Sequence, residues 1–438
     1  MSARTAALRV LTACRTNDAW ADAALSAELK RAPLSPADAA LASRIVYGVL
    51  QNRMLLDHWL GAFCTQRPEH LQQPLPDILR IGAYQILFLD KIPDRAAVSE
   101  SVELAKASKR GAAAGLVNAV LRKISQNKAH VPALPADPTE RLCVETSHPK
   151  WLVERLCAIL GREEAAAFCR ANNAVAPVTA QINPLRTSAE ALLNELSGAG
   201  IEARGHAWAP DCLELLGVGD LTTLPAFYRG HFLVQDAAAR CATLAAEIKP
   251  GMRVLDVCAA PGGKSFSAAF AMQNSGQIVA CDLHENKLKR IREGAERLGV
   301  TCIETAAADG RVFRPAWEGA FDAVLCDVPC SGLGIIRKKP DIRYKDPSAL
   351  AALPPIQRAI LANAARYVRA GGVLLYSTCT ILPEENEGVT DAFLAQQDRF
   401  TYEPFTLPIG PTDGRVTLWP QWHGTDGFYL AKLRRKHD

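Results

Sequence analysis

The sequence lacks the features that mark membrane, secreted and zinc-binding proteins. It contains no run of about 18 consecutive apolar residues, so no transmembrane helix is expected. Residues 1–19 are interrupted by Arg4, Arg9 and Arg15 and lack the apolar core of a signal peptide. The 13 cysteines are scattered, with no CxxC pair and no histidine pair at ligand spacing. These absences predict a cytoplasmic protein with reduced thiols, no membrane partner and no metal site.

Positive charge is concentrated in one part of the chain. The 438 residues are 49% hydrophobic and 22% charged, and this length predicts two or three globular domains. Residues 1–130 carry 17 lysines and arginines against 11 acidic residues, whereas residues 131–438 carry 33 against 35. The excess in the first third favours a polyanionic partner such as RNA, and a solvated basic face is the alternative.

The first third of the sequence has helical spacing throughout. Within residues 4–124, apolar residues recur every four positions, for example Leu41, Ile45 and Val49. We predict an all-helical domain of five to seven helices over residues 1–138, which ends in a proline-rich linker.

A small α+β module is predicted over residues 139–227. Residues 150–160 and 188–199 have helical spacing. Residues 178–182 and 212–216 are short apolar runs typical of strands.

From residue 228 onward, short apolar runs alternate with amphipathic stretches. This alternation predicts a doubly wound, Rossmann-like α/β domain over residues 228–438. The predicted strands are residues 253–258, 278–281, 301–305, 321–326 and 373–377, and the predicted helices are residues 265–273, 285–298 and 355–369.

A cofactor site is predicted at the carboxyl edge of this sheet. The loop at 256–264 is glycine-rich but is not GxGxxG, which favours an adenosine ligand without a pyrophosphate. Asp282 lies twenty residues after Gly262, as expected for a ribose-binding carboxylate, and Asp309 could hold the adenine amino group. A tight turn with surface aspartates is the alternative. The predicted cofactor-binding residues are Cys258, Ala259, Ala260, Pro261, Gly262, Gly263, Lys264, Asp282, Asp309 and Asp327.

Two cysteines follow the fourth and fifth predicted strands of this domain. Because these strands are neighbours in the usual order, Cys330 and Cys379 should lie close together above the cofactor. A thiolate that adds to carbon 6 of cytosine would make carbon 5 nucleophilic towards a methyl donor, with the base unstacked. Asp327 could hydrogen-bond the ring and stabilise this adduct. Inert thiols and a redox disulfide are the alternatives.

Several motifs resemble the signatures of RNA cytosine-5 methyltransferases. They are DVCAAPGGK at 256–264, DVPCSGLG at 327–334, STCT at 377–380 and GHFLVQD at 230–236. The one departure is STCT, where STCS is common, and threonine keeps the hydroxyl.

This resemblance implies S-adenosyl-L-methionine as the cofactor and a role for each thiol. In that family the cysteine of the last motif is the nucleophile, here Cys379, and the cysteine after proline helps to release the product, here Cys330. DNA cytosine-5 methyltransferases attack with the proline-cysteine thiol instead, so the presence of both cysteines favours RNA as the substrate.

The helical region resembles the NusB RNA-binding domain, through residues 44–48 and 115–122. Together the resemblances imply a monomer that methylates carbon 5 of a cytidine in small-subunit (16S) ribosomal RNA. The alternatives are a transfer RNA cytosine-5 methyltransferase and a non-catalytic NusB-like assembly factor. The intact Cys379, Cys330 and Asp327 favour an enzyme over the assembly factor.

Overall fold

The computed structural model describes residues 2–17, 19–108 and 111–437 and divides into two compact units. The helical unit comprises Met1–Ala174 and Ile336–Lys345, and the α/β unit comprises Val175–Ile335 and Asp346–Asp438. No helix in the described residues is long and apolar enough to cross a membrane. The predicted divisions after residues 138 and 227 do not coincide with the boundary between these units and stay predictions.

The helical unit is built from amphipathic helices around one main apolar core. Ile45, Leu56 and Ile78 are fully buried in that core. Ser35 begins α3 by accepting a hydrogen bond from the Asp38 amide. The helices in the described part of this unit are α1 (Ala3–Thr16), α2 (Ala21–Arg31), α3 (Pro36–Gln51), α4 (Arg53–Phe63), α5 (Leu75–Phe88), α6 (Asp94–Ala107), α7 (Ala114–Asn127), α8 (Pro138–Thr146), α9 (Lys150–Leu160) and α10 (Arg162–Asn173).

The segment Ile336–Lys345 packs within the helical unit and contains the 3-10 helix Pro340–Tyr344. Arg343 is fully buried and donates hydrogen bonds to backbone carbonyls at the ends of α3 and α8 and to the Asn173 side chain at the end of α10. A cation is stabilising there, because helix carboxyl termini leave carbonyls unpaired and carry partial negative charge. The sequence pattern does not predict this packing.

The small module of the α/β unit is a four-stranded antiparallel sheet of order β2-β3-β1-β4. Its strands are β1 (Val178–Ile182), β2 (Glu202–Gly205), β3 (Cys212–Leu216) and β4 (Phe232–Val234), and its helices are α11 (Ala189–Gly198) and α12 (Pro225–Tyr228). The predicted strands at 178–182 and 212–216 are confirmed. The two outer strands were not predicted, because β2 is a largely exposed edge strand with charged residues and β4 is only three residues long.

The large sheet is mixed, with strand order β10-β14-β9-β8-β5-β6-β7 and β13 beside β14. The five predicted strands form its parallel part, β5 to β9. The elements of residues 237–435 are α13 (Ala237–Ala245), β5 (Arg253–Asp256), α14 (Gly263–Met272), β6 (Gln277–Asp282), α15 (Glu285–Leu298), β7 (Ile303–Ala307), β8 (Phe321–Asp327), α16 (Leu353–Tyr367), β9 (Val368–Thr378), α17 (Glu387–Leu394), β10 (Phe400–Tyr402), β11 (Thr406–Leu407), β12 (Gly410–Pro411), β13 (Arg415–Leu418), α18 (Pro420–His423) and β14 (Phe428–Arg435). Of these, β11 and β12 pair with each other in a separate two-stranded sheet.

The antiparallel strands beyond β9 were not predicted. β14 pairs along β9 and is buried over most of its length, although its sequence includes lysine and arginine. Lys432 is fully buried and forms ion pairs with Glu247 and Glu403, so tertiary contacts neutralise a charge that local patterning counts against a buried strand.

Candidate active site

The carboxyl ends of the parallel strands border a cleft of about 500 Å³. Ligands bind at this edge of open α/β sheets because the loops of several strands converge there. Leu283, Ile356 and Ile360 give the cleft an apolar wall. The predicted residues that line it are Cys258, Ala260, Asp282, Asp309, Asp327, Cys330 and Cys379.

The turn after β5 is tight and glycine-dependent. Gly262 has φ +111°, and a Cβ at this position would lie 2.6 Å from the Phe266 ring, so only glycine fits. Ser265 at the start of α14 donates a hydrogen bond of 2.7 Å to Asp256, and burial raises the pKa of Asp256 to about 7. The other predicted loop residues, Ala259, Pro261, Gly262 and Gly263, form this turn and the beginning of α14.

Two predicted carboxylates line the cleft and have different partners. Asp282 ends β6, accepts a hydrogen bond from the His284 amide at 3.0 Å and lies 3.6 Å from the Lys287 ammonium. Asp309 is held by the Arg311 guanidinium at 2.7 and 3.0 Å, and these hydrogen bonds lower its pKa. Arg311 also lines the cleft, and no motif in the sequence pointed to it.

Lys264 contacts Asp327 directly. Its ammonium lies 2.6 Å from Asp327 Oδ2, while Ser377 Oγ donates to Asp327 Oδ1 at 2.8 Å. Burial alone would lower the pKa of Lys264, but the Asp327 and Asp256 carboxylates raise it above its usual value. Lys264 is therefore a cation that, together with Ser377, fixes the orientation of Asp327.

The two predicted cysteines meet at the cleft. Cys330 Sγ and Cys379 Sγ are 3.3 Å apart, although 49 positions separate them in the sequence. They are brought together because β8 and β9 are parallel neighbours, with Asp327 opposite Ser377. The contact with the Cys379 thiol and burial raise the pKa of Cys330 well above its usual range. Cys330 is thus held as a neutral thiol.

Two buried residues next to the loops that carry Cys330 and Cys379 were not predicted from the sequence. Gln357 on α16 and Glu385 are both fully buried and hydrogen-bonded to each other at 2.8 Å. Local sequence carried no signal for them, because Glu385 belongs to a polar Pro-Glu-Glu-Asn-Glu stretch that is typical of an exposed turn.

Comparison with known families assigns each region of the chain. Residues 243–434 match the family described as 16S rRNA methyltransferase RsmB/F, and residues 1–126 match the NusB family. Residues 148–222 match the ferredoxin-like domain of RsmF/B-like methyltransferases. The predicted fold classes of all three regions and the predicted family resemblance are confirmed.

Similarity also extends over nearly the whole length. The chain is 37% identical to a probable ribosomal RNA small subunit methyltransferase B of Bacillus subtilis, over 99% of each chain. A probable ribosomal RNA small subunit methyltransferase B of Synechocystis is 35% identical, over 99% of this chain and 100% of the other. The crystal structure of PH0851 has a TM-score of 0.81 and 27% identity, and the match covers 99% of both chains.

Proposed function

Because the chain belongs to the RsmB/F family of S-adenosyl-L-methionine-dependent 16S rRNA methyltransferases, we propose that it methylates carbon 5 of a cytidine in small-subunit ribosomal RNA. The observation that carries the proposal is the pair of thiols 3.3 Å apart, on the same cleft as Asp327. Methylation of an exocyclic amine or a ribose hydroxyl would need no thiol, whereas carbon 5 must be activated covalently.

The cleft fits the cofactor of the family. Asp282 would accept hydrogen bonds from the ribose hydroxyls, and Leu283, Ile356 and Ile360 offer apolar contact to the adenine. Asp309 would reach the adenine amino group with a lone pair that Arg311 leaves available. When bound, S-adenosyl-L-methionine supplies an electrophilic methyl group.

The first step uses Cys379, Lys264 and Asp327. The Cys379 thiolate adds to carbon 6 of the flipped cytosine, and the nearby Lys264 cation interacts favourably with that negative charge. Asp327, oriented by Lys264 and Ser377, accepts a hydrogen bond from the exocyclic amine and stabilises the adduct. Carbon 5 would thereby become nucleophilic and take the methyl group as the bond between that group and the cofactor's sulfonium sulfur breaks, with S-adenosyl-L-homocysteine as the leaving group.

Product release breaks the covalent bond between Cys379 and the methylated base. The proton on carbon 5 is lost to solvent water, the double bond between carbons 5 and 6 re-forms, and the bond between Cys379 Sγ and carbon 6 breaks with return of the thiolate. Cys330 is a neutral thiol next to the departing sulfur and can donate a hydrogen bond to it. This arrangement supports the division of roles in which Cys379 attacks and Cys330 assists release.

Ribosomal rather than transfer RNA is proposed on the names of the full-length relatives and on the NusB-like helical region. We also propose that the protein is a monomer that acts in the cytoplasm without a metal ion. Bisulfite sequencing of RNA from a deletion strain would identify the target, and loss of 5-methylcytosine from transfer RNA alone would contradict this choice.

The test compares Cys379→Ala, Cys330→Ala and the double variant on labelled RNA with S-adenosyl-L-methionine. Cys379→Ala should abolish methylation and any covalent adduct. Cys330→Ala should still attack but release slowly, so a denaturant-resistant protein–RNA complex should accumulate on gels. The double variant should form none, and Cys64→Ala in the helical unit serves as the control. Adduct in Cys379→Ala and none in Cys330→Ala would exchange the roles of the thiols.

A further inference from the structure

A buried carboxylate lies behind the loop that carries Cys330. Glu385 is fully buried, and its Oε2 accepts a hydrogen bond from the Ser331 amide at 2.9 Å. Gln357 donates both to the same oxygen at 2.8 Å and to the Pro329 carbonyl at 3.0 Å. The peptide groups on both sides of Cys330 are therefore fixed by one pair of side chains.

The same carboxylate reaches the loop that carries Cys379. Thr380 directly follows Cys379, and its hydroxyl lies 2.6 Å from the Ser331 hydroxyl and donates to Glu385 Oε1 at 3.4 Å. Gly334 at the far end of the first loop donates from its amide to the Cys379 carbonyl at 2.9 Å. Hydrogen bonds thus join the two cysteine loops to each other as well as to Glu385.

Glu385 is itself held in place by the backbone around it. Its amide donates to the Leu382 carbonyl at 3.0 Å, and its carbonyl accepts from the Tyr376 hydroxyl at 2.6 Å. Tyr376 is fully buried in β9, the strand that leads to Cys379. Glu385 therefore lies in a turn between β9 and α17 that hydrogen bonds tie to β9, rather than in a free loop.

We propose that Glu385 is a positioning residue. It acts through Ser331, Thr380 and Gln357 to hold the Cys330 and Cys379 thiols at the relative positions that attack and release require. The inference rests on the proposed function for its catalytic meaning, but the geometry it assigns is independent of any RNA. The negative charge of Glu385 also helps to raise the pKa of Cys330, which suits a thiol that must stay protonated beside a thiolate.

The first test measures the thiol geometry without methyl transfer. A trivalent arsenical bridges two thiols only when they are adjacent. Its rate of reaction with the full-length protein therefore reports how the Cys330 and Cys379 sulfur atoms are placed relative to each other. The Cys330→Ala/Cys379→Ala double variant gives the background from the other cysteines. Glu385→Ala should slow the specific bridging by about tenfold or more, since small misplacements of reacting atoms have large effects on rate.

Matched variants separate positioning from folding. Glu387→Gln is the control, because Glu387 is a half-buried glutamate two residues away that has no hydrogen bond to either cysteine loop in the described residues. In this variant the arsenical should bridge the two thiols at the wild-type rate. Glu385→Gln keeps one acceptor and should lose less than Glu385→Ala. If Glu385→Ala does not fold, Gln357→Met tests the same network, because it removes the bond to Pro329 while keeping the side-chain volume.

The second test uses RNA and S-adenosyl-L-methionine. Glu385→Gln should lower kcat with little change in the KM for RNA and should accumulate some of the covalent adduct seen with Cys330→Ala. Wild-type bridging in folded Glu385→Ala, together with wild-type kcat, would overturn the inference even if Cys330→Ala behaves as proposed. Slow bridging in Glu385→Ala with no adduct in any variant would uphold the positioning role and overturn the cytosine-5 mechanism instead.

Discussion

The two units both bury charged side chains, but they use them differently. In the helical unit, Arg343 binds carbonyls at the ends of helices, and Arg80 is paired with Asp57 and Asp77 at 2.7 and 2.9 Å. In the α/β unit, Lys264 is paired with Asp327, which borders an open cleft beside two thiols. A buried ion pair is therefore not by itself evidence of a reaction site, and what distinguishes Lys264 and Asp327 is the adjacent pair of thiols on the same cleft as Asp327.

The comparison is tested most strongly by Lys264, the buried lysine that contacts Asp327. We expect Lys264→Met to slow methyl transfer by about 100-fold or more, because Asp327 loses the cation that orients it and the thiolate loses a favourable charge. Single-turnover rates at saturating RNA and cofactor measure this effect. A variant that loses stability but keeps its rate would place Lys264 with the structural charges of the helical unit.

The counterpart in the helical unit is Arg343. We expect Arg343→Met to lower the free energy of unfolding by about 2–4 kcal/mol, because the Gln51 and Thr146 carbonyls and the Asn173 side chain lose a charged donor and the helix ends lose a buried cation. Urea unfolding followed by helical circular dichroism measures the loss, while the affinity of the folded protein for S-adenosyl-L-methionine should not change. The free energy of unfolding of Arg343→Lys should lie between those of the wild type and Arg343→Met, since an ammonium lacks the forked set of donors of a guanidinium. Unaltered stability of Arg343→Met would show that the helix ends do not depend on this residue.

Within the α/β unit, Asp282 should govern cofactor affinity. We expect Asp282→Ala to weaken S-adenosyl-L-methionine binding at least about tenfold, since hydrogen bonds to a charged group contribute about 1.5–3 kcal/mol each. Calorimetry measures the affinity, with Glu285→Ala as an exposed acidic control three residues away. Equal affinities of the two variants would remove the ribose assignment.

The smallest effect concerns the uneven charge. Replacing the exposed Arg122 and Lys123 of α7 with glutamine should make the salt dependence of RNA binding shallower by about 1.4 in log–log slope, at about 0.7 per phosphate contact. The same change at Lys289 and Arg290 of α15 should have less effect. Identical slopes in both double variants would mean that the positive excess of residues 1–130 is only a solvated face.

Much of the candidate site follows from the sequence. Asp256, Asp282, Asp327, Cys330 and Cys379 could be placed at one edge because each follows a short apolar run, and parallel strands bring their carboxyl ends together. The helices and the five parallel strands were likewise predictable, since apolar periodicity is a local property. The family motifs added the roles of the two thiols, which stay proposals.

Only the tertiary structure decided which partner each polar side chain takes. Lys264 binds Asp327, and Glu385 is buried against Ser331. The segment Ile336–Lys345 packs in the helical unit, and β14 enters the sheet as an antiparallel neighbour of β9. The physical reason is that most of these contacts join residues about 50 or more positions apart, where the cost of burying a charge is offset by a partner that local spacing does not encode.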